Sequence, residues 1–415
     1  MIATRRGRRV GDVGLALAAC FLTLLAGYFL KARCSSPDSD QYRDLCYNDI
    51  QPLYGLRGID QHVFPYVNGS LQNDELVDGA VEYPVLTGVF MWGSGFFAQD
   101  YREYLQASAL LLAPFAFVAA YLLARMSAAR ALLFAGAPAV ILYAFHNWDL
   151  LVVATVVGGF YAWYREKNVW AAVLFGVGGA LKMYPLLFLA PLFLERLVHA
   201  EKREAWRVSG AGVGTWVAVN LPFVMINFEG WWTTYQFHSQ RLPNYDTIWL
   251  IGLHPDTNVN ISPAGLNITT TALMVVSFAG ALWLGWRRVR KDGEYPVIQV
   301  CAALLAAFLL WNKVHSPQYA LWLMPFFALL RVNIGWWVAY SLADLFVYVG
   351  VFRWFYDFRF VGAEDMTAAK GLLVFGVWMR AALLAALFFI FLRAGSAVRD
   401  RLSSQAPPSL SNVRE

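Results

Sequence analysis

Apolar runs of about 15 to 24 residues recur from one end of this chain to the other, separated by short segments rich in arginine, lysine, tryptophan and tyrosine. Continuous runs of that length suit helices crossing roughly 30 Å of hydrocarbon, where every backbone polar group has to be satisfied inside its own segment. The pattern predicts an all-α polytopic membrane protein with about twelve transmembrane helices.

The spans fall at about 12–30, 104–125, 130–146, 149–164, 168–182, 184–199, 208–226, 266–286, 296–312, 318–331, 334–352 and 370–393. One further run, Val85 to Ala98, is only about 14 residues long and contains Gly88, Gly93 and Gly95. It suits an interfacial or re-entrant helix better than a crossing. With that run left uncrossed, Arg125 and Arg130, Arg165 and Lys167, Arg196 to Arg207, and Arg287 to Lys291 all fall on one side, the cytoplasmic side by the positive-inside rule. Counting it as a span would put almost every basic cluster outside. The predicted organisation is a basic cytoplasmic N-terminus (1–11), a transmembrane domain (12–393) and a disordered cytoplasmic tail (394–415). Within the domain, 31–103 forms a first extracytoplasmic loop with the interfacial helix at about 85–98, and 227–264 forms a second. The arginines before the first run also resemble a signal-peptide n-region, but the run is long and shows no obvious cleavage site, so it is taken as a retained helix.

Composition narrows the picture. With 59% hydrophobic and 15% charged residues, the chain does not read as a soluble globular protein. The net charge of +5 is no argument for nucleic acid, because the basic residues lie in short loops. The partner expected is the bilayer, as a multi-pass protein of the plasma (inner) membrane. No P-loop or dinucleotide fingerprint is present, Cys20, Cys34, Cys46 and Cys301 match no zinc spacing, and neither metal nor cofactor is expected. Cys34 and Cys46 share the outer loop, where a bridge is permitted but not required by their spacing. Cys20 and Cys301 read as small buried apolar residues.

Soluble chemistry should concentrate in the longest polar interval, Lys31 to Pro84. Asp49, soon after the first span, can act as a general base; Asp38, Asp40 and Asp44 compete for that role, and a solvated loop acid is the plain alternative for each. Glu82-Tyr83-Pro84 opens the short run as a helix-start signature. Lys182, before Tyr184 and Pro185, sits at the end of an apolar helix and needs a partner, an anionic lipid phosphate, or must snorkel to the surface. His315, in His-Ser-Pro-Gln318-Tyr319, can donate to a leaving phosphate or serve structurally. His238 and Arg241 are weaker candidates for a phosphate or acceptor contact. His146 and Asp149 look like a metal pair without a third ligand at a recognisable spacing.

Together these stations resemble the GT-C superfamily, and within it glycosyltransferase family 87, actinobacterial membrane enzymes with a DUF2029-type domain. The residues carrying the likeness are Asp49, Tyr54 and Pro65-Tyr66, then Glu82-Tyr83-Pro84, Leu181 to Pro185, and His315 to Tyr319. The family includes polyprenol-phosphate-mannose-dependent α-mannosyltransferases of phosphatidylinositol mannoside synthesis and a related arabinofuranosyltransferase. The resemblance, over roughly residues 12 to 390, implies a GT-C-like bundle and an inverting transfer from a polyprenyl-phosphate sugar donor to a glycolipid or glycan acceptor on the periplasmic side. It implies Asp49 as base, with Asp40 as rival because family members often keep the acid nearer the first helix. His315 and Lys182 would lie near the donor phosphate. Tyr184, Glu82, Tyr83, Gln318, Tyr319, His238 and Arg241 would line the substrate site. A transporter or flippase of a lipid-linked sugar is the reading from another class. It predicts charges near the membrane midplane, whereas these gather at helix ends.

Overall fold

The structure, a computed structural model, describes residues 2–73, 75–254, 261–362 and 367–398, with side chains from residue 10 onward. It is 76% helical. Helices of ten residues or more among the described residues are α1 (Ile2–Ala32), α2 (Val85–Gly95), α3 (Tyr101–Ser127), α4 (Asp149–Tyr164), α5 (Asn168–Leu181), α6 (Leu189–Val198) and α7 (Lys202–Ile226). They continue as α8 (Phe228–Gln240), α9 (Pro263–Asp292), α10 (Val297–Trp311), α11 (Ala320–Leu329), α12 (Ile334–Tyr356) and α13 (Ala368–Arg393).

Six of the helical stretches, built on α1, α3, α7, α9, α12 and α13, are long and apolar enough to cross a bilayer. The other apolar runs fold as shorter pieces. The run at 130–146 becomes a 3-10 turn (Ala128–Ala131) followed by the short helices Leu132–Ala135 and Pro138–Tyr143. Pro138 has no N–H to continue a helix and its ring collides with the preceding turn, so the chain restarts there. The run at 184–199 likewise begins as a 3-10 turn, Tyr184–Phe188, with Pro185 near its start. The short run at 85–98 does form a helix, α2.

Helices α4 and α11 are apolar on all sides and buried on nearly all sides, which makes them the middle of the bundle. Helices α7 and α9 do the reverse. Val213, Val217, Met225 and Ile226 of one, and Ile268, Val275, Val276 and Trp283 of the other, are exposed, as a lipid-facing surface requires. Where α5 meets α7, a Cβ on Gly176 would run into the Gly212 carbonyl, so glycine lets the two backbones touch. Helices α12 and α13 pack along their length.

The segment between α1 and α2 is tied down rather than loose. Cys34 and Cys46 form a disulfide, settling what spacing left open. The buried Tyr66 hydroxyl donates to the carbonyls of Tyr83 (2.8 Å) and Pro84 (2.9 Å). A Cβ on Gly88 would run into that hydroxyl. A two-stranded antiparallel hairpin pairs Ser70–Gln72 with Glu75–Val77. At the other end of the chain, Gly395–Ser396 pairs with Leu330–Arg331, so the tail begins as part of the fold. The remainder of the expected disordered tail, from 399, lies outside the described residues.

Candidate functional site

Asp49 stands where the disulfide-closed loop turns into the short helix Ile50–Leu56. Its backbone N–H donates to the His146 carbonyl at 2.7 Å, which fixes the loop against the junction between the Pro138–Tyr143 turn and α4. The side chain makes no cap bond to its own helix. Instead Oδ1 accepts from the Tyr47 hydroxyl (3.0 Å) and Oδ2 from the Asn147 amide (2.8 Å). The same Asn147 nitrogen donates to the Tyr83 hydroxyl at 2.7 Å, and His146 Nε2 lies 3.9 Å from Oδ2. Burial pushes the Asp49 carboxyl above its ordinary value, and nearby Glu82 adds to this; the bonds from Asn147 and Tyr47 and the charge of Lys182 pull it back. The side chain keeps 21% exposure, facing a cavity.

Lys182 ends α5 and is 7% exposed, so it does not snorkel. Its ammonium lies 3.6 Å from Asp149 Oδ1 and 4.4 Å from the centre of the Tyr83 ring. Trp322 Nε1 donates to the same Asp149 oxygen at 2.7 Å. Glu82 is gripped by Arg57 at 2.8 Å. Burial lifts its carboxyl, but the Arg57 guanidinium outweighs that and holds it below the ordinary value. His238, on α8, approaches the Glu82 carbonyl with Nε2 at 2.7 Å. Burial, with Arg241 alongside, pushes it down to about 4, which leaves a neutral imidazole near pH 7. Arg241 donates to Asn244 Oδ1 (2.8 Å), and Lys313 donates to the Arg241 carbonyl (2.9 Å), securing the end of α8.

These groups border a cavity of about 550 Å³ whose wall includes Asp49, Glu82, Tyr83, Lys182, His238 and Arg241. A second chamber of about 250 Å³ shares Glu82, Tyr83, Lys182, His238 and Tyr319 with it. Its far wall is aromatic: Trp322 stacks on Tyr184 at 4.3 Å and on Tyr319 at 3.7 Å. The volume is of the size that holds small ligands. It combines the carboxyls of Asp49, Glu82 and Asp246, the cations Lys182 and Arg241, and aromatic faces, a set suited to a sugar and an anionic leaving group. Among the described residues no three His, Cys, Asp or Glu side chains gather as a metal site would need.

The structure brings Asp49, Glu82, Tyr83, Lys182, His238, Arg241, Gln318 and Tyr319 to the larger cavity, and Tyr184 to the aromatic chamber. It does not bring Asp40 there. That side chain is 49% exposed and bridged to Arg43 at 2.9 Å. Nor does His315 face the cavity. Its Nδ1 contacts the Leu309 carbonyl at 2.8 Å, and the ring lines a separate pocket of about 10 Å³ with Asp246 and Arg380. Sequence reasoning missed Asn147, which bridges Asp49 to Tyr83, and saw Asp149 only as half of a metal pair, not as the partner of Lys182. The available signal was the clustering of His146, Asn147 and Asp149 between two apolar runs, where polar side chains are expensive unless they work.

The profile of Glycosyltransferase family 87 matches residues 82–312. The match takes in Glu82, Tyr83, Lys182, His238 and Arg241; Asp49 precedes it and His315 follows it. The chain is also 20% identical over 207 residues to GPI mannosyltransferase 1 of Kluyveromyces lactis, an alignment covering 46% of this chain and 49% of the relative. The match thus spans about half the length of that curated relative. With residues 82–312, more than half of the chain, under the family profile, the chain belongs to glycosyltransferase family 87.

Proposed function

We propose that this protein transfers a sugar, mannose in the first instance, from a polyprenyl-phosphate donor to a glycolipid or glycan acceptor, with inversion. Asp49 takes the proton of the acceptor hydroxyl as its oxygen attacks the anomeric carbon. The sugar–phosphate bond breaks and the polyprenyl phosphate leaves with the bonding electrons, its charge offset by Lys182, with Arg241 further along the wall. The observation that carries this reading is that the Asp49 carboxylate and the Lys182 ammonium share the wall of one cavity at the ends of apolar helices. A lipid-borne leaving group is already at that depth. The family profile and the mannosyltransferase relative support the class of reaction. In this reading Asp40 is a surface acid, and His315 steadies the Ser316–Tyr319 wall from behind.

The same reading takes 12–393 as one transferase unit crossing the membrane about twelve times, with the shorter helical pieces joining end to end into crossings. The loops at 31–103 and 227–264 then face the periplasm and the basic clusters face the cytoplasm, in the plasma membrane. The test uses the full chain in lipid nanodiscs with radiolabelled polyprenyl-phosphate-mannose, or the arabinose donor in parallel, and a membrane lipid extract as acceptor. Asp49→Asn is expected to lower transfer by about 10²- to 10⁴-fold, the usual worth of a general base, while Asp40→Asn leaves it intact. Full transfer by Asp49→Asn defeats the base assignment. If wild type consumes neither donor yet moves lipid-linked sugar across liposomes, the transporter reading replaces this one.

A further inference from the structure

Lys31, in the last turn of α1, is 0% exposed. A lysine amine taken wholly out of solvent is costly unless it is partnered, so a burial this complete asks what the group does. Its polar contacts are not the usual carboxylate. They are the Tyr47 carbonyl at 2.6 Å, the Tyr348 hydroxyl at 3.0 Å and His146 Nδ1 at 3.4 Å. All three lead to one place. Tyr47 places its own hydroxyl on Asp49 Oδ1, and His146 turns its other nitrogen toward Asp49 Oδ2. The Tyr348 hydroxyl, besides receiving Lys31, donates to the Leu45 carbonyl at 2.5 Å, and Arg353 donates to the Arg43 carbonyl at 2.6 Å. Thus α1 and α12 grip backbone carbonyls at 43, 45 and 47, just ahead of Asp49, while the Cys34–Cys46 disulfide closes the loop on its other side.

We infer that Lys31 is a positioning residue for the Asp49 carboxylate, clamping the backbone before it through the Tyr47 carbonyl and bracing the imidazole beside it. This rests on Asp49 being the base. Tyr47, His146 and Asn147 contact Asp49 directly, Glu82, Lys182, Tyr83 and Tyr42 act on it through space, and His238, Arg241 and Asp246 share the cavity wall. Lys31 reaches the Asp49 loop through Tyr47 and His146 and is not part of the cavity wall.

The experiment is the transfer assay on Lys31→Met in nanodiscs across a pH series. Loss of a charged donor to the Tyr47 carbonyl is expected to lower kcat by about tenfold or more, with KM within about threefold. The acid limb of the kcat profile moves to higher pH, because removing a nearby positive charge favours the protonated carboxyl. A merely structural lysine would lower activity without moving that limb, and that result, or an unchanged kcat, overturns the inference. Should Lys31→Met not accumulate as folded protein, Tyr348→Phe removes one Lys31 contact and the bond to Leu45. It is expected to lower kcat by about fivefold at unchanged KM, and an unchanged kcat again overturns the inference. Asp49→Asn, run alongside, separates the two ideas. If it is inactive while the Lys31→Met limb stays put, only the role of Lys31 fails; if it is active, the base assignment beneath it fails.

Discussion

The sharpest test of the site is Asn147→Ala. The Asn147 amide nitrogen donates to Asp49 Oδ2 at 2.8 Å and to the Tyr83 hydroxyl at 2.7 Å, so one side chain aims the proposed base and steadies the ring that Lys182 lies over. A hydrogen bond to an ionised group is worth about 1.5–3 kcal/mol, and each 1.36 kcal/mol is tenfold in rate, so kcat should fall by roughly 10- to 100-fold. The sign of the pH effect follows from the same bond. Burial already lifts the Asp49 carboxyl and Asn147 favours its ionised form, so deleting the amide lifts it further and moves the acid limb of the kcat profile upward. Tyr83→Phe is the control: it removes the second bond, keeps the ring and leaves Asn147 on Asp49, and should stay within about threefold of wild type. The assay is radiolabelled sugar transfer in nanodiscs from pH 5 to 8.5. If Asn147→Ala keeps its rate within about threefold and its limb in place, or if Tyr83→Phe is as damaging, the reasoning is wrong.

Other outcomes follow from the same geometry. Lys182→Met strands the buried Asp149 carboxylate and should cost about 3–5 kcal/mol of stability, whereas Lys182→Met with Asp149→Leu should melt near wild type and still fail to transfer. A double variant as unstable as the single one counts against the pairing. Asp49→Asn should melt higher than wild type at neutral pH: a carboxyl raised on folding favours its protonated form, so the ionised group subtracts stability as pH rises above the ordinary carboxylate range, and the amide does not. Equal melting at pH 4 and pH 7.5 would remove that argument. His238, held down to about 4, makes the fold lose stability as pH drops from about 6.5 toward 4, and His238→Gln should flatten melting curves in that window. Cys34→Ser should cost about 3 kcal/mol, the usual worth of closing a loop of this length, and reductant should reproduce the loss in wild type but not in the variant.

The apolar runs gave nearly every helix, because a span in lipid has to be continuous and apolar whatever it packs against. Where the helices are shorter than the runs, proline decided: the chain restarts at Pro138 inside the run at 130–146, and Pro185 lies in the 3-10 turn that opens the run at 184–199. At the site, the polar interval before Pro84 and the isolated Lys182, His238 and Arg241 were visible as polar groups between apolar runs. Asn147 was not, because a short amide at a helix junction looks like ordinary turn chemistry and its meaning lies with Asp49, 98 positions away. Asp40 and Asp49 could not be ranked from spacing. Only the fold shows one paired on the surface with Arg43 and the other on a cavity wall. His315 looked like its neighbours Ser316 to Tyr319, yet its ring, beside that of Tyr319 at 5.9 Å, lines a separate small pocket while the four residues after it line the cavity.

Helices α7 and α9 carry their apolar side chains outward, and α8, which supplies His238 and reaches Arg241, is strung between them. The part of the cavity wall formed by Phe237 and His238 therefore lies between two helices with exposed apolar outer faces. Stripping the surrounding lipid with detergent should loosen α8 and lower transfer while the α4 and α11 centre stays intact, and adding lipid back should restore it.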